Sequence, residues 1–236
     1  MARYYSLSPS TFADDFRAAL EDYYGSGVTI ESASGNTIVF TCPAICDKVL
    51  KFEKFNSGFL AYFGDDSSKM TQFTNSYSGS NNTGLHLVLS EAFLLLESTV
   101  LSDTATSAVV GRLTNGRHLV TGGTTSDNPY YTGGNKSYFT DDTVYKAICI
   151  ISPYQNNIKH GGKMCLWPAF VACDGEIETD VDTTFASIPG LFVTFAQSGE
   201  RTGGSNFYLS KGAIYSEPSS YRCCNTRKYI ELEVAE

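Results

Sequence analysis

The stretch VVGRLTNGRHLVT, residues 109–121, gives the clearest indication of how the chain folds. Two apolar runs flank the dipeptide Asn115-Gly116, which favours a two-residue type I′ turn between antiparallel strands. Such a turn fixes three cross-strand pairs: Thr114 with Arg117, Leu113 with His118 and Arg112 with Leu119. The stretch therefore predicts a β-hairpin.

Glycine-rich turns separate short apolar runs along the rest of the chain. Thr-Gly-Gly triplets begin at Thr121, Thr132 and Thr202, and paired glycines supply the conformations that tight turns need. Runs rich in Val, Ile, Phe and Tyr between such turns are typical of strands. Two further hairpins are predicted around three-residue turns at 34–36 and 56–58, and another joins 85–89 to 93–97. The other predicted strands are 144–151, 163–166, 170–173, 191–195, 206–209 and 229–234.

One helix is predicted near the start of the chain. Ser8 suits the N-cap and Pro9 the first helical position, and Gly25 ends the pattern. Between them, apolar residues recur at helical spacing: Phe12, Phe16, Leu20 and Tyr23. The pattern predicts a helix over about 9–24, whose aromatic stripe packs on the sheet of its own chain or on a neighbouring subunit.

Together these patterns predict a mainly β protein, an antiparallel β-sandwich or curved-sheet meander with one N-terminal α-helix. We expect a single domain over residues 1–236, since 236 residues can bury a core without disulfides or metals. The loop-rich stretch 122–142 is where a subdivision of that domain would fall.

Composition narrows the classes of partner. Charged residues make up only 18% of the chain and its formal net charge is −8, which disfavours nucleic acid and anionic membranes because both attract Lys and Arg. The first residues lack an apolar run suited to a signal peptide, and no stretch suits a membrane span. We therefore expect no membrane insertion, a protein kept in a cytoplasm, and seven reduced cysteines.

A row of carboxylates is the first candidate site. Asp174, Glu176, Glu178, Asp180 and Asp182 occupy every second position, so an extended chain would project them from one face about 6.6 Å apart. Such a row can supply oxygen ligands to Ca²⁺ or paired carboxylates for glycoside hydrolysis. It is also typical of a solvated strand face or an edge that blocks wrong pairing.

Four aromatic residues form the second candidate site. Their rings can stack on sugars or pack into the core, which is the commoner fate of such side chains. The candidate ligand-contacting residues are Tyr130, Tyr131, Tyr138 and Trp167.

Cysteine and histidine give no recognisable catalytic or metal motif. Cys42 and Cys46 are spaced Cys-x3-Cys and Cys223-Cys224 is a vicinal pair, whereas structural zinc usually uses two Cys-x2-Cys halves. A Cys-His hydrolase stays open only because nucleophile and base can meet in space. Phosphate-loop and dinucleotide-binding motifs are absent from the sequence. We expect no catalysis, no cofactor and no metal site.

Four segments, residues 12–24, 48–65, 85–97 and 111–116, together resemble uncharacterised structural proteins of bacteriophages and prophages of gut bacteria. The resemblance implies a virion structural protein of the tail or its host-adhesion end, assembled in the bacterial cytoplasm. It implies other virion proteins, copies of the chain itself and surface carbohydrate as partners. A carbohydrate-binding module and a hydrolase using the acidic row or a Cys-His pair are the alternatives.

Overall fold

The protein is described by a computed structural model over residues 2–55, 58–74, 82–100, 106–124, 136–140, 142–150, 166–173, 186–194, 220–223 and 228–232. These residues form antiparallel strands in two sheets, and the α-helix among them is α1 (Phe12–Tyr24). The strands are β1 (Arg3–Leu7), β2 (Thr29–Ser34), β3 (Thr37–Cys42), β4 (Cys46–Phe55), β5 (Gly58–Asp66), β6 (Lys69–Gln72), β7 (Asn82–Leu89), β8 (Phe93–Val100), β9 (Thr106–Arg112), β10 (His118–Thr124), β11 (Lys136–Phe139), β12 (Asp142–Ile150), β13 (Leu166–Cys173), β14 (Ala186–Thr194), β15 (Ser220–Cys223) and β16 (Lys228–Leu232). The prediction of a mainly β, antiparallel fold with one N-terminal helix is confirmed.

The smaller sheet is a meander of five strands, β2 to β6, each paired with its neighbour in the sequence. The larger sheet has eleven strands in the order β1-β7-β8-β9-β10-β11-β12-β13-β14-β16-β15. Strand β1 pairs with β7, so the helix and the whole smaller sheet lie in the sequence between two adjacent strands of the larger sheet.

The helix begins at Phe12, three residues later than predicted, and Thr11 is its N-cap. The reason is the Asp15 carboxylate, which accepts hydrogen bonds from the Ser8 backbone N–H and the Thr11 hydroxyl, each at 2.9 Å. These bonds hold residues 8–10 in a turn before the helix. The end is as expected, because Gly25 has a φ of +53°.

The main hydrophobic core lies between the two sheets and the helix. Its larger side chains are aromatic, and seven phenylalanines are fully or almost fully buried there: Phe12, Phe16, Phe40, Phe52, Phe59, Phe63 and Phe73. The Phe16 ring of α1 lies 5.2 Å from the Phe52 ring and 5.9 Å from the Phe40 ring. The aromatic stripe of the helix therefore packs on the sheets of its own chain.

A second, smaller core covers the opposite face of the larger sheet. Ile188 and Leu191 of β14 pack there with Phe93 and Val109 of β8 and β9. Because β14 belongs to the same sheet as β8 and β9, the sheet curls back on itself. Both faces of its β8–β9 region are consequently buried.

The hairpin at 109–121 forms, but with a register one residue away from the predicted one. Arg112 pairs with His118, and the Leu113 N–H donates to the Arg117 carbonyl at 2.8 Å. The expected pairs of Thr114 with Arg117, Leu113 with His118 and Arg112 with Leu119 are therefore wrong. A tertiary contact explains the shift, because the Thr114 N–H donates to the Ser187 carbonyl in β14 at 2.9 Å.

The other hairpins form where predicted, with small differences in length. Ser34 pairs with Thr37, so the first loop has two residues and not three, and its Gly35 has a φ of +57°. Strand β4 pairs with β5 up to Phe55 and Gly58, and β7 pairs with β8. The strand predicted at 170–173 lies within β13, which has a register shift beside Pro168. Of the strand predicted at 163–166, Leu166 begins β13 and residues 163–165 lie outside the described residues. The strand predicted at 206–209 lies outside the described residues.

The stretch considered for a subdivision, 122–142, is described in part. Strand β11 pairs on one side with β10 and on the other with β12, while residues 125–135 and 141 lie outside the described residues.

As to membranes, α1 and the rest of the described chain offer no helix that is long and apolar enough to span one.

Candidate functional site

The residues predicted as sites are mostly beyond what the structure describes. Tyr130, Tyr131 and the acidic row Asp174, Glu176, Glu178, Asp180 and Asp182 lie outside the described residues. Trp167 lies in β13, where its backbone pairs with Val193. Tyr138 is half-buried, packs against the main core, and has its ring 5.6 Å from the Phe63 ring.

Two cysteines face each other across β3 and β4. Cys42 pairs with Cys46, and both are buried free thiols. Burial raises the pKa of the Cys42 thiol to about 11 and that of Cys46 to about 12. A nucleophilic cysteine needs the opposite shift, towards the thiolate at neutral pH. These two thiols are therefore set up as core residues.

A polar cluster joins the two sheets at one end of the core. The Thr140 hydroxyl, next to β11, donates to Asp47 Oδ1 in β4, and His118 Nδ1 in β10 lies 3.5 Å from the same oxygen. The Thr140 backbone N–H also donates to the His118 carbonyl at 3.1 Å. Asp47 and Thr140 are 93 residues apart, so no local pattern could have indicated this contact.

A surface cluster at the end of α1, the tyrosine patch, consists of Arg3, Tyr5, Asp22 and Tyr23. The Tyr5 hydroxyl donates to Asp22 Oδ2 at 2.8 Å, and Arg3 Nη1 lies 3.4 Å from that oxygen. The Arg3 guanidinium also lies 5.7 Å from the centre of the Tyr23 ring. Partial burial, with the charge and hydrogen bond of Asp22, raises the pKa of Tyr5 to about 12.

The tyrosine patch was missed at the level of sequence. The available signal was the repetition of a Tyr-Tyr pair, at residues 4–5 and at residues 23–24. The first pair falls in β1, a strand that was not predicted, so nothing indicated that the two pairs would meet.

A fourth feature is the outer face of the smaller sheet, the side turned away from the core. Alternate residues of β3, β4 and β5 point into the core, so their neighbours point outward. Several of these outward residues are apolar: Val39, Val49, Leu60, Tyr62 and Met70. Lys51 and Glu53 lie among them, 3.1 Å apart at Nζ and Oε2, and Lys51 Nζ lies 4.9 Å from the centre of the Tyr62 ring.

Neither a protein-family model nor a curated protein matches this chain. The case for a function therefore depends on the tyrosine patch and the outer face. Tyrosine and arginine are enriched at the centres of protein interfaces, and apolar surface is what such contacts bury. Both features are suited to binding other macromolecules by surface contact.

Proposed function

We propose that the protein is a structural component of a bacteriophage virion, acting in the tail or in host adhesion by surface contact and without catalysis. The tyrosine patch is the observation that carries the proposal. Its Arg3, Tyr5 and Tyr23 side chains are half-exposed or exposed and belong to the residue types that dominate binding energy.

The patch is organised before any partner arrives. Asp22 holds both Tyr5 and Arg3, and Arg3 in turn lies beside the Tyr23 ring. Side chains that are already ordered lose less conformational entropy on binding, so more of the contact energy appears as affinity. This favours a docking surface over an incidental cluster of tyrosines.

The elements beneath the patch are anchored to the core. The Tyr24 hydroxyl donates to the Ser90 carbonyl at 2.7 Å, which connects the end of α1 to the turn between β7 and β8. Phe16 and Leu20 fix the same helix in the main core. Binding surfaces on rigid elements hold their geometry better than those on loops, as a virion contact requires.

The genes beside the coding gene give the first test. Capsid or tail genes are the expected neighbours, and a purely metabolic neighbourhood would contradict the proposal. The second test is co-expression of the tagged protein with the products of those neighbouring genes, followed by affinity capture.

The variant for that capture is Arg3→Glu, which reverses the charge beside Asp22. Arg17→Glu is the matched control, because it makes the same change of charge at a residue that pairs with Asp14 on the exposed side of α1. We expect capture by Arg3→Glu to weaken at least about tenfold while Arg17→Glu binds as the wild type does. Equal capture by both variants would refute the role of the patch.

A further inference from the structure

The outer face of the smaller sheet carries more apolar side chains than is usual for a sheet face that is exposed to solvent. An antiparallel sheet with one face on the core usually turns polar side chains to water on the other. Here Leu60, Tyr62 and Met70 are half-buried, and Val39 and Val49 are each only 8% exposed. A second layer placed on this face would cover the remaining exposed surface of Leu60, Tyr62 and Met70.

The charges on the outer face favour a second copy of the chain as the layer that covers it. The chain has a net charge of −8, so two copies repel each other over most approaches. On the outer face from β3 to β6, two outward side chains are charged, Lys51 and Glu53, and their opposite charges sum to zero. This holds for the paired segments 37–41, 49–53, 60–64 and 70–72. The exposed side of α1, with Asp14, Arg17 and Glu21, is net negative by contrast.

Lys51 and Glu53 are also arranged to complement a copy of themselves. They are two residues apart on one strand, about 6.6 Å along it. A twofold axis across β4 at the level of Phe52 would place Lys51 of each copy opposite Glu53 of the other. This is the self-complementary geometry that twofold interfaces require.

Contact by the edges of the smaller sheet is disfavoured. The edge strand β2 has a register shift between Ile30 and Ser32, and the ladder between β5 and the other edge strand, β6, has one between Gly64 and Asp66. Such irregularities twist a sheet edge away from regular pairing with another strand. The face is left as the surface through which this sheet can meet a partner.

We infer that the outer face is a contact between two copies of this chain related by a twofold axis, with each Lys51 facing the partner copy's Glu53. The inference deepens the proposed function, on which it rests for the role of self-assembly in the virion. The contact itself is a property of the purified chain and is tested without any virion protein.

The experiment is light scattering coupled to gel filtration at micromolar concentrations. We expect a dimer for the wild type and a dissociation constant raised at least about tenfold for Lys51→Glu and for Glu53→Lys, since each places like charges opposite each other at two points. An equimolar mixture of the two single variants should recover the dimer, because every facing pair is then opposite in charge. The swapped double variant K51E/E53K should dimerise as well.

Arg17→Glu and Asp14→Lys change net charge by the same amounts on the exposed side of α1 and should leave the dimer intact. Thermal melts of the single variants check that they stay folded, and the double variant keeps opposite charges at positions 51 and 53. A monomeric wild type, or a mixture no more dimeric than its components, would overturn the inference. Either result would leave the capture experiment on the tyrosine patch unaffected.

Discussion

Replacing Phe52 by Ala is expected to remove a large part of the stability of the fold. The Phe52 side chain is fully buried in β4, at the centre of the main core. Its ring has four aromatic neighbours within 6.4 Å, measured between ring centres: Phe16, Phe40, Phe59 and Phe73. These neighbours belong to the helix, to the strands β3 and β5 that flank β4, and to the residue after β6, so a cavity at Phe52 weakens several elements together.

The magnitude follows from burial and from the ring contacts. Truncating a buried Phe to Ala costs about 3–5 kcal/mol through lost transfer free energy and the remaining cavity. Aromatic pairs add about 0.5–1.5 kcal/mol each beyond area, and the four rings of Phe52 place the change in the upper part of that range. Single domains are stable by about 5–15 kcal/mol, so this one substitution would remove a third or more.

Phe55, three residues along the same strand, is the matched control. Its side chain is 45% exposed, and truncation there should cost under about 1 kcal/mol. Urea unfolding followed by far-ultraviolet circular dichroism gives the free energy of unfolding of Phe52→Ala, Phe55→Ala and the wild type. Equal losses for the two variants, or a loss below about 1.5 kcal/mol for Phe52→Ala, would refute the placement of β4 in the core.

Alkaline pH should destabilise the protein, because burial raises the folded pKa values of Cys42 and Cys46 above the ordinary value of 9.0. Their contribution to stability is complete below pH 9 and is lost as the pH rises, on the order of 2–3 kcal/mol for the pair between pH 8 and 10. Urea unfolding at the two pH values checks this, and an equal loss in the Cys42→Ala/Cys46→Ala variant would assign it to other groups. Gly116→Val should lower stability by about 1–3 kcal/mol because Gly116 has a φ of +85°, and an unchanged melting temperature would contradict that backbone conformation. Gly64→Ala should cost about 1–3 kcal/mol in the same melts, since its Cβ would lie 2.2 Å from the Lys69 carbonyl oxygen; no change would contradict the pairing of β5 with β6.

Local patterns predicted the elements of this fold better than its contacts. The helix and the early hairpins follow from apolar spacing and glycine-containing turns, whose physics acts within a few residues. The register of the 109–121 hairpin does not follow from local patterns. In a type I′ turn the Thr114 N–H would donate to the Arg117 carbonyl, but here it donates to the carbonyl of Ser187, 73 residues away in the sequence. Strand β1 was missed for a similar reason, since its partner β7 is remote in the sequence.

The candidate sites show the same division. Runs of carboxylates and tyrosines are visible in the sequence, yet the tyrosine patch depends on Asp22 of α1 meeting Arg3 and Tyr5 of β1. Lys51 and Glu53 are spaced for one strand face, but alternation within β4 does not show which face the core takes. That choice is set by Leu50 and Phe52 packing against the helix and the larger sheet.

The insertion of the helix and the smaller sheet between β1 and β7 has a consequence for the order of folding. Each strand of the β2–β6 meander pairs with the next in sequence, and such local contacts form early. Strand β1 must instead wait for β7, and the Tyr4 hydroxyl meets His86 Nδ1 across 82 residues. At a synthesis rate of about 5–20 residues per second, β1 leaves the ribosome about 4–16 s before its partner. During that interval the helix and the meander can close their own core, so the larger sheet is completed on a surface that already exists.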